Sequence, residues 1–378
     1  MVHDLIKMAR RATNNSYIIF FVIIIIFCWT GVVLSALLAL PWGNLVSASC
    51  RWDCFWYNDV AINGYSRFPL LYDAQRPAQA SWAFFPLYPL LTSAISQFLT
   101  LNTQSAGLII NIILWPCIIF LCYCDLELRK IYVNKLVFMI FFIFYPFNIW
   151  YTVQYSESIY GTLLMAAIVA LRGKRVELAA LTCFFLSIAR PTGFIMTACL
   201  AVWWLFNTPY NTEICTKNLL QRRISESLLL IVAGGAGLSL FVLYLFHLTG
   251  DGFAFAHVEI AWNKKFRFFL FHIAHALTHK HQIYSGIFAL LSILVIRKMC
   301  SRTWALNVLL VGSTALLACS TGTQSIERYV FGNPLTIQFL AYSTLSRSQK
   351  FIWISLGIMA LLHVVATILW YNESILLI

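Results

Sequence analysis

The chain has 378 residues, of which 61% are hydrophobic and only 11% are charged, and its formal net charge is +12. A soluble domain carries about 25% charged residues, so this composition excludes a water-exposed globular fold. The basic residues lie in short segments between apolar stretches, where they set topology and contact lipid, which argues against nucleic acid as a partner. Continuous apolar stretches predict an all-α polytopic membrane protein.

The first predicted span, residues 17–40, follows a basic N-terminal segment, residues 1–16, that the charge pattern places in the cytoplasm. The span is too long for the apolar core of a signal peptide, so we expect a retained anchor. Residues 42–104 then form the first outward loop. Within that loop, residues 82–99 are apolar but begin with Pro86 and Pro89, and counting them as a span would invert every later loop. A re-entrant or interfacial segment is therefore predicted there.

The Lys and Arg content of the short loops predicts about eleven spans, in a range of roughly 10 to 12. After the first outward loop the predicted spans are 105–124, 136–150, 159–171, 178–188, 194–206, 228–248, 283–296, 305–319, 331–345 and 351–371. Residues 249–282 lie outward, and the basic and aromatic mixture of 263–282 predicts an interfacial helix on lipid headgroups. We expect one integral membrane domain over residues 1–378.

Polar side chains gather at the span ends that are predicted to face outward. The prominent ones are Arg51, Trp52, Asp53, Tyr57, Asp59, Gly64, Tyr65, Tyr155, Ser156, Glu157, Ser158, Arg190, Asp251, His257, Glu259, Arg328 and Tyr329. Almost every acidic residue outside the cytoplasmic loops belongs to this set. The asymmetry predicts a working site on one membrane face, although membrane interfaces collect polar residues in any case.

Asp53 is the sharpest candidate, because it lies between Trp52 and Trp56 with Arg51 beside it. Aromatic rings stack on the apolar faces of sugars, and a carboxylate between them suits a general base for an attacking hydroxyl. The alternative is a surface carboxylate paired with Arg51. Asp59 lies six residues further on, and the sequence leaves open whether it shares the site.

The later candidates also have structural alternatives. Glu157 is costly to bury unpaired in a membrane, but an N-cap formed by Ser156 explains part of its motif. Arg190 and Arg328 either extend to the interface or hold a phosphate. His257 and Glu259 are two residues apart and would not share a helix face, so they are a weak indication of a metal site. No cofactor is required by the sequence, and a divalent metal remains an option.

The eleven cysteines include no CxxC pair. Cys50 and Cys54 flank Asp53 and have the means to pair in an oxidising compartment, but nothing in their spacing compels it. Most of the others lie in apolar stretches, where cysteine behaves as a small hydrophobic residue. The sequence therefore favours unpaired cysteines throughout. It also contains no phosphate-binding loop, dinucleotide fingerprint or HExxH pattern.

Taken jointly, these motifs resemble a known family. Arg51-Trp52-Asp53 with Tyr57, Gly64-Tyr65 and residues 83–90 resembles the opening of the family of the second mannosyltransferase of GPI-anchor synthesis and its bacterial relatives. Residues 155–160, 189–193 and 250–262 and Arg328-Tyr329 resemble its later motifs in the expected order. The resemblance covers about residues 51–334 and implies a glycosyltransferase of the GT-C type.

The resemblance implies an inverting enzyme that moves mannose from a polyprenyl- or dolichyl-phosphate carrier to a lipid-linked or surface glycan acceptor. Asp53 would be the catalytic base, Arg190 and Arg328 would bind the carrier phosphate, and Glu157 and His257 would shape the site. The expected substrate-binding residues are Arg51, Trp52, Tyr57, Asp59, Glu157, Arg190, His257, Trp262, Arg328 and Tyr329. No family acid is expected at Asp59, and the polar insertion at residues 68–81 leaves the acceptor open.

The chain is short for the eukaryotic enzyme, which favours a bacterial relative in the inner membrane; in a eukaryote the endoplasmic reticulum membrane would be expected. The active site is expected on the non-cytoplasmic face. The alternative function is a multi-pass lipid or glycan transporter or flippase without covalent chemistry, for which the spans offer almost no ionisable groups near mid-membrane. A non-catalytic membrane scaffold is a third possibility, and it gives the clustered acids no purpose.

Overall fold

Helices form nearly all of the regular structure in the computed structural model, which describes residues 2–69, 78–207 and 217–377. No β-strand occurs within those ranges, so the predicted class, an all-α polytopic membrane protein, is confirmed. In chain order the α-helices of these ranges are α1 (Val2–Leu38), α2 (Leu45–Ser49), α3 (Asp53–Asn63), α4 (Leu87–Leu99), α5 (Thr103–Leu128), α6 (Lys135–Phe144), α7 (Glu157–Arg172), α8 (Val176–Ala189), α9 (Thr192–Phe206), α10 (Lys217–Thr249), α11 (Ala254–His257), α12 (Phe269–Thr278), α13 (Ile283–Met299), α14 (Ala305–Thr321), α15 (Pro334–Leu345) and α16 (Gln349–Tyr371).

Among the described residues, five helical segments are long and apolar enough to cross a bilayer. They are Asn15–Leu38, Thr103–Leu128, Asn218–Thr249, Arg302–Thr321 and Gln349–Tyr371. The other predicted spans correspond to helices of 10 to 17 residues. At about 1.5 Å per residue, a helix of that length is shorter than a hydrocarbon core of about 30 Å. The total of about eleven spans therefore stays a prediction.

Helix α5 lies at the centre of the bundle and packs against α1, α4 and α7. In the most apolar part of α5 56% of the residues are buried, against 17% in α1 and 22% in α16. An apolar helix with an exposed face is stable only where lipid covers that face. Helices α1 and α16 therefore form part of the lipid-facing perimeter, and α5 organises the interior.

One predicted span is shorter than the sequence suggested. The stretch 136–150 was expected to be continuous, but α6 ends at Phe144 and a 3-10 turn, Pro146–Tyr151, follows it. Proline disfavours helical geometry at the residue before it, and Tyr145 has the extended ψ of 128°. The break turns the chain back toward the start of α7.

The apolar stretch 82–99 contains the regular helix α4, which begins directly after Pro86. Pro89 lies in its first turn, where a missing N–H leaves no helical hydrogen bond unmade. The helix packs against α3 and α5, and Tyr88 donates a hydrogen bond of 3.0 Å to the Gly107 carbonyl. Thirteen residues extend only about 20 Å, so its re-entrant or interfacial placement remains a prediction.

The segment 263–282 contains a shorter helix than predicted, because α12 covers only Phe269–Thr278. The residues before it run along the end of α14: the Lys265 N–H donates to the Thr321 carbonyl at 3.0 Å, and the Arg267 N–H to the Ser320 carbonyl at 2.8 Å. The neighbouring phenylalanines, among them Phe266, are strongly exposed. Basic and exposed aromatic side chains together suit an interfacial position.

Two polar clusters lie at the two ends of α7. At its C-terminal end, the buried carboxylate of Asp125 binds Arg172, Arg129 at 3.1 Å and Gln338 at 2.8 Å. At its N-terminal end is Glu157. Buried charge is tolerated only with partners, so each cluster fixes several helix ends around α7. The N-terminal cluster is the candidate site.

Candidate active site

Asp53 is the first residue of α3 and is held from two sides. Its backbone N–H donates a hydrogen bond of 3.0 Å to the phenolic oxygen of Tyr155. Its Oδ2 accepts from Nη1 of Arg328 at 2.7 Å, although the two residues are 275 positions apart. The Asp53 side chain is 23% exposed, whereas Arg328 is only 6% exposed. The carboxylate is thus fixed but open to a ligand.

Asp53 and Arg328 belong to a group of two acids and two arginines, which we call the charge cluster: Asp53, Glu157, Arg190 and Arg328. Nη1 of Arg190 lies 2.6 Å from Oε1 of Glu157, and Nε of Arg328 lies 2.7 Å from the same oxygen. Glu157 is therefore shared between both guanidinium groups, and Arg328 bridges both carboxylates. The formal charges cancel, which is the condition for burying four ionised groups together.

The charge cluster keeps its arginines charged in spite of their burial. Desolvation acts to lower the pKa of Arg328, but Glu157, Tyr329 and Asp53 outweigh it, and the pKa lies well above its ordinary value. Burial also acts to lower the pKa of Arg190, but the neighbouring Glu157 carboxylate outweighs it, and the pKa is raised. Oε2 of Glu157 is buried and has no hydrogen-bond partner among the described residues. That oxygen is a free acceptor inside the cluster.

Tyrosine rings enclose the two guanidinium groups. Arg328 lies 4.9 Å from the ring centroid of Tyr155 and 5.2 Å from that of Tyr329, and Arg190 lies 5.4 Å from Tyr329. Burial raises the pKa of Tyr155 well above its ordinary value, so its phenol is neutral at physiological pH. Cation–π contact with neutral rings stabilises the arginines without using their N–H donors.

A second aromatic group flanks the cluster along α3. Trp56 lies one helical turn after Asp53, on the same side of the helix. It stacks on Phe84 at 5.6 Å with an interplanar angle of 10°, and Trp262 meets it edge-on at 5.8 Å. The buried Tyr57 shares a hydrogen bond of 2.8 Å with Ser156. Flat aromatic surfaces close to a carboxylate are suited to holding a sugar ring.

Two of the structural alternatives offered for these motifs do not occur in the structure. Arg51 does not pair with Asp53: its guanidinium donates to the Tyr371 carbonyl at 3.2 Å and lies 3.4 Å from Oε1 of Glu373. The reason is the turn at Trp52, which points the flanking side chains in different directions. Ser156 occupies the N-cap position of α7, but its side chain makes no capping bond, because it is bonded to Tyr57.

Some predicted site residues lie outside the charge cluster. Asp59 accepts a hydrogen bond of 2.7 Å from Asn63 on the same helix. His257 is exposed, and its Nδ1 lies 2.6 Å from Oδ2 of Asp251. That contact is the main cause of the lowered pKa of Asp251. Among the described residues no group of three potential metal ligands occurs, including around His257 and Glu259.

The expectation of unpaired cysteines was also wrong for one pair. Cys50 and Cys54 form a disulfide, and both are almost fully buried. The bond joins the end of α2 to the first turn of α3, on either side of Asp53. The sequence signal was the spacing of four around Asp53, which is compatible with a disulfide but does not require one. The other described cysteines are free.

Lys264 and Glu327 are two charged residues near the cluster that sequence reasoning did not select. Nζ of Lys264 lies 2.8 Å from Oε2 of Glu259. Burial acts to lower the pKa of Lys264, but Tyr329 and Glu259 outweigh it and raise the pKa. Glu327 precedes Arg328 in a π-helical turn, Glu327–Phe331, and is buried. The sequence places Lys264 only in the basic and aromatic segment 263–282, and folding brings it close to Tyr329.

Comparisons with known proteins give structural neighbours only. Neither family models nor curated protein sequences match the chain. Among solved structures it is similar to the archaeal oligosaccharyltransferase AglB from Archaeoglobus fulgidus in complex with an inhibitory peptide and a dolichol-phosphate, at 12% identity and a TM-score of 0.42. That match covers 92% of this chain and 56% of the other.

Two further structures of the Archaeoglobus fulgidus oligosaccharyltransferase are also similar. The complex with Zn and sulfate has 11% identity and a TM-score of 0.39, over 91% of this chain and 52% of the other. The apo form has 12% identity and a TM-score of 0.40, over 92% and 56%. The chain thus spans little more than half the length of these neighbours.

Proposed function

We propose that the chain is an inverting glycosyltransferase of the GT-C type, which transfers mannose from a polyprenyl-phosphate carrier to a glycolipid or glycan acceptor. The observation that carries this proposal is the meeting of Asp53 with Arg328, Glu157 and Arg190 in one cluster. These residues come from motifs far apart in the sequence. The transfer needs a base, positive charge for the phosphate and a surface for the sugar. The Asp53 carboxylate, the two guanidinium groups and the aromatic rings beside them supply these.

In this proposal Asp53 is the general base. Its carboxylate takes the proton from the acceptor hydroxyl, whose oxygen attacks the anomeric carbon of mannose from the face opposite the phosphate. The bond from the anomeric carbon to the phosphate oxygen breaks, and the configuration inverts. Glu157 holds Arg190 and Arg328 in place, and its free Oε2 is positioned to accept a hydrogen bond from a substrate hydroxyl.

The leaving group is a lipid phosphate, which gains negative charge as the glycosidic bond breaks. A guanidinium has five N–H donors, and the contacts of Arg190 and Arg328 with carboxylates use only part of that number. The remaining donors suit a phosphate, and preorganised positive charge stabilises the developing anion. Lys264 is a third candidate for phosphate contact, since it lies near Tyr329 and Arg328.

The proposed orientation has the charge cluster on the non-cytoplasmic face of a bacterial inner membrane, or on the lumenal face of the endoplasmic reticulum in a eukaryote. The loop charges support this, because the opposite end of α7 is rich in basic residues. A carrier lipid reaches such a site within the bilayer, and no nucleotide sugar is needed. The absence of a nucleotide-binding sequence pattern agrees with this choice.

The decisive experiment is incubation of the purified protein with polyprenyl-phosphate mannose and candidate acceptors, with mass-spectrometric detection of product. Asp53→Asn keeps the size of the side chain but removes the base, and we expect transfer to fall by at least about 10³-fold. Glu177→Gln, an exposed carboxylate at the start of α8, is the matched control and should retain full transfer.

Full activity of a correctly folded Asp53→Asn protein would overturn the role of Asp53. Chromatographic behaviour and thermal stability of each variant establish that folding is intact. The alternative, a transporter or flippase, is tested in sealed vesicles with labelled carrier lipid. Movement of the lipid across the bilayer without a covalent product would favour that alternative.

A further inference from the structure

The Cys50–Cys54 disulfide closes a loop that contains the proposed base and the two residues before it. Between the two cysteines lie Arg51, Trp52 and Asp53, so the bond closes a short loop at the junction of α2 and α3. Both sulfur-bearing side chains are almost fully buried. A buried disulfide at this junction constrains the conformation of the short loop that it closes.

The loop has an unusual backbone at Trp52, where φ is 51° and ψ is −112°. Positive φ is uncommon for a residue with a side chain, and it persists only where the surroundings determine it. The turn at Trp52 is what separates the direction of Arg51 from that of Asp53. The position of the Asp53 carboxylate therefore depends on keeping Trp52 in this conformation.

Noncovalent contacts hold the rest of the junction. Gln154 donates to the Val46 carbonyl at 2.7 Å and to Ser49 Oγ at 2.9 Å, and Trp370 donates to the Ser49 carbonyl at 3.2 Å. All three bonds end on α2. After Trp52, the backbone N–H of Asp53 donates a hydrogen bond to the phenolic oxygen of Tyr155. Across Trp52 itself, the Cys54 N–H donates to the Arg51 carbonyl at 3.1 Å and the Phe55 N–H to the Trp52 carbonyl at 3.2 Å. The disulfide adds a covalent side-chain link between the end of α2 and α3.

We propose that Cys50 and Cys54 are positioning residues for Asp53, and that the chain works at full rate only when the bond between them is formed. The proposal rests on the proposed function for its link to catalysis. Disulfides persist in oxidising compartments, so the same bond agrees with a site on the non-cytoplasmic face.

The redox step is thiol–disulfide exchange with a dithiol. When dithiothreitol reduces the chain, the bond between the two sulfurs breaks and each becomes a thiol. The chain gains two electrons and two protons, and dithiothreitol becomes its cyclic disulfide. Oxidised glutathione reverses the change: the bond forms again, the chain gives up two electrons and two protons, and two molecules of reduced glutathione are released.

The first measurement requires no substrate. Peptide mapping of the full-length protein without reduction should give a Cys50–Cys54 segment that is two hydrogens lighter than the dithiol and resists alkylation. Amide hydrogen exchange is then followed over residues 44–63 before and after reduction. We expect at least about tenfold faster exchange in the reduced protein, restored by oxidised glutathione, with α5 unchanged as the internal reference. Free thiols at both positions, or unchanged exchange, would overturn the proposal.

The second measurement is kinetic. Reduced wild-type protein and the Cys50→Ala/Cys54→Ala variant should both lose about 10- to 100-fold in kcat, with little change in KM for the carrier, because a displacement of about 1 Å is costly for a catalytic group. The variant should be insensitive to both redox reagents. Cys117→Ala/Cys300→Ala, which removes two free cysteines elsewhere, is the control and should match wild type.

Parallel assay of Asp53→Asn separates this proposal from the proposed function. An inactive Asp53→Asn protein together with a fully active reduced wild type would overturn the disulfide proposal alone. An active Asp53→Asn protein would overturn the proposed base, and the exchange measurement would still decide whether the disulfide fixes this junction. If the double cysteine variant does not fold, reversible reduction of the wild-type protein gives the same comparison.

Discussion

At the scale of single residues, the charge cluster is built from ion pairs between side chains that are far apart in the chain. Asp53, Glu157, Arg190 and Arg328 were all candidates by residue type and position. The structural alternative for Asp53 paired it with its near neighbour Arg51, and the observed partner is Arg328. A pairing across 275 positions is a product of helix packing. Local spacing contains no information about it.

The shared carboxylate of Glu157 makes a stability prediction for the charge cluster. Arg190→Ala leaves the buried Glu157 with Arg328 as its remaining cation. Removing one partner of a buried ion pair typically costs about 3–5 kcal/mol, and we expect a loss of that order in the free energy of unfolding. Thermal unfolding of wild type and Arg190→Ala, in the same detergent and at the same pH without added substrate, measures the change.

A surface ion pair provides the comparison. Arg222 pairs with Glu226 one turn away, at 2.7 Å, but the Arg222 side chain is 74% exposed. Exposed pairs contribute about 0–1 kcal/mol, so Arg222→Ala should be close to neutral. Equal effects of Arg190→Ala and Arg222→Ala would mean that the charge cluster is solvated in the detergent-solubilised protein, contrary to its burial.

At the scale of helices, sequence patterns located most elements, and they were wrong where proline or length decided the outcome. Pro146 ended α6 early, and α12 proved shorter than the basic aromatic segment that contains it. The apolar stretch 82–99 forms the regular short helix α4 in spite of its two prolines, and its re-entrant or interfacial placement stays a prediction. An apolar stretch shows only that its residues are shielded from water, by protein or by lipid. It does not show at which residue the helix ends.

The junction of α8 and α9 shows why Gly193 follows Arg190 in the motif at residues 189–193. A Cβ on Gly193 would lie 2.0 Å from the Leu186 carbonyl oxygen and 2.4 Å from its carbon. The two helices approach so closely that only glycine fits, and this approach places Arg190 beside Glu157. We expect Gly193→Ala to destabilise the protein by about 1–3 kcal/mol through overpacking, and to reduce transfer activity as Arg190 moves.

Gly312→Ala is the matched control for that variant. Gly312 lies within α14, and a Cβ there would meet no atom within 4 Å. Alanine in a helix interior is favoured over glycine by roughly 0.5–1 kcal/mol, so Gly312→Ala should be neutral or slightly stabilising. Both variants are compared by melting temperature and by transfer rate. A tolerated Gly193→Ala would show that α8 and α9 separate readily.

At the scale of the whole molecule, composition and charge were enough to predict an all-α polytopic membrane protein, and that prediction is confirmed. The convergence of distant motifs at one end of α7 could be anticipated only through the alternation of loop charge. The position of Lys264 near Tyr329 and the burial of Glu327 had no equivalent signal. Each depends on how several helices meet, which a pattern within one segment does not record.

Glu327 connects the site to the stability of the whole fold. Burial raises its pKa from an ordinary 4.5 to about 8, and its Oε2 has no hydrogen-bond partner among the described residues. Between these two values the folded chain keeps a proton that the unfolded chain releases. Stability therefore falls as pH rises from about 4.5 to about 8 and levels off above the folded pKa.

Glu327→Gln removes this titration while keeping the size and hydrogen-bonding capacity of the protonated acid. We expect the melting temperature of wild type relative to Glu327→Gln to fall by a few degrees between pH 5 and pH 8, since in a chain of 378 residues each kcal/mol corresponds to roughly 1 °C. Using the difference between the two proteins cancels the histidines, which titrate in both. Parallel pH profiles would mean that Glu327 is ionised in the folded chain, so that Arg328 would act on a third carboxylate in addition to Asp53 and Glu157.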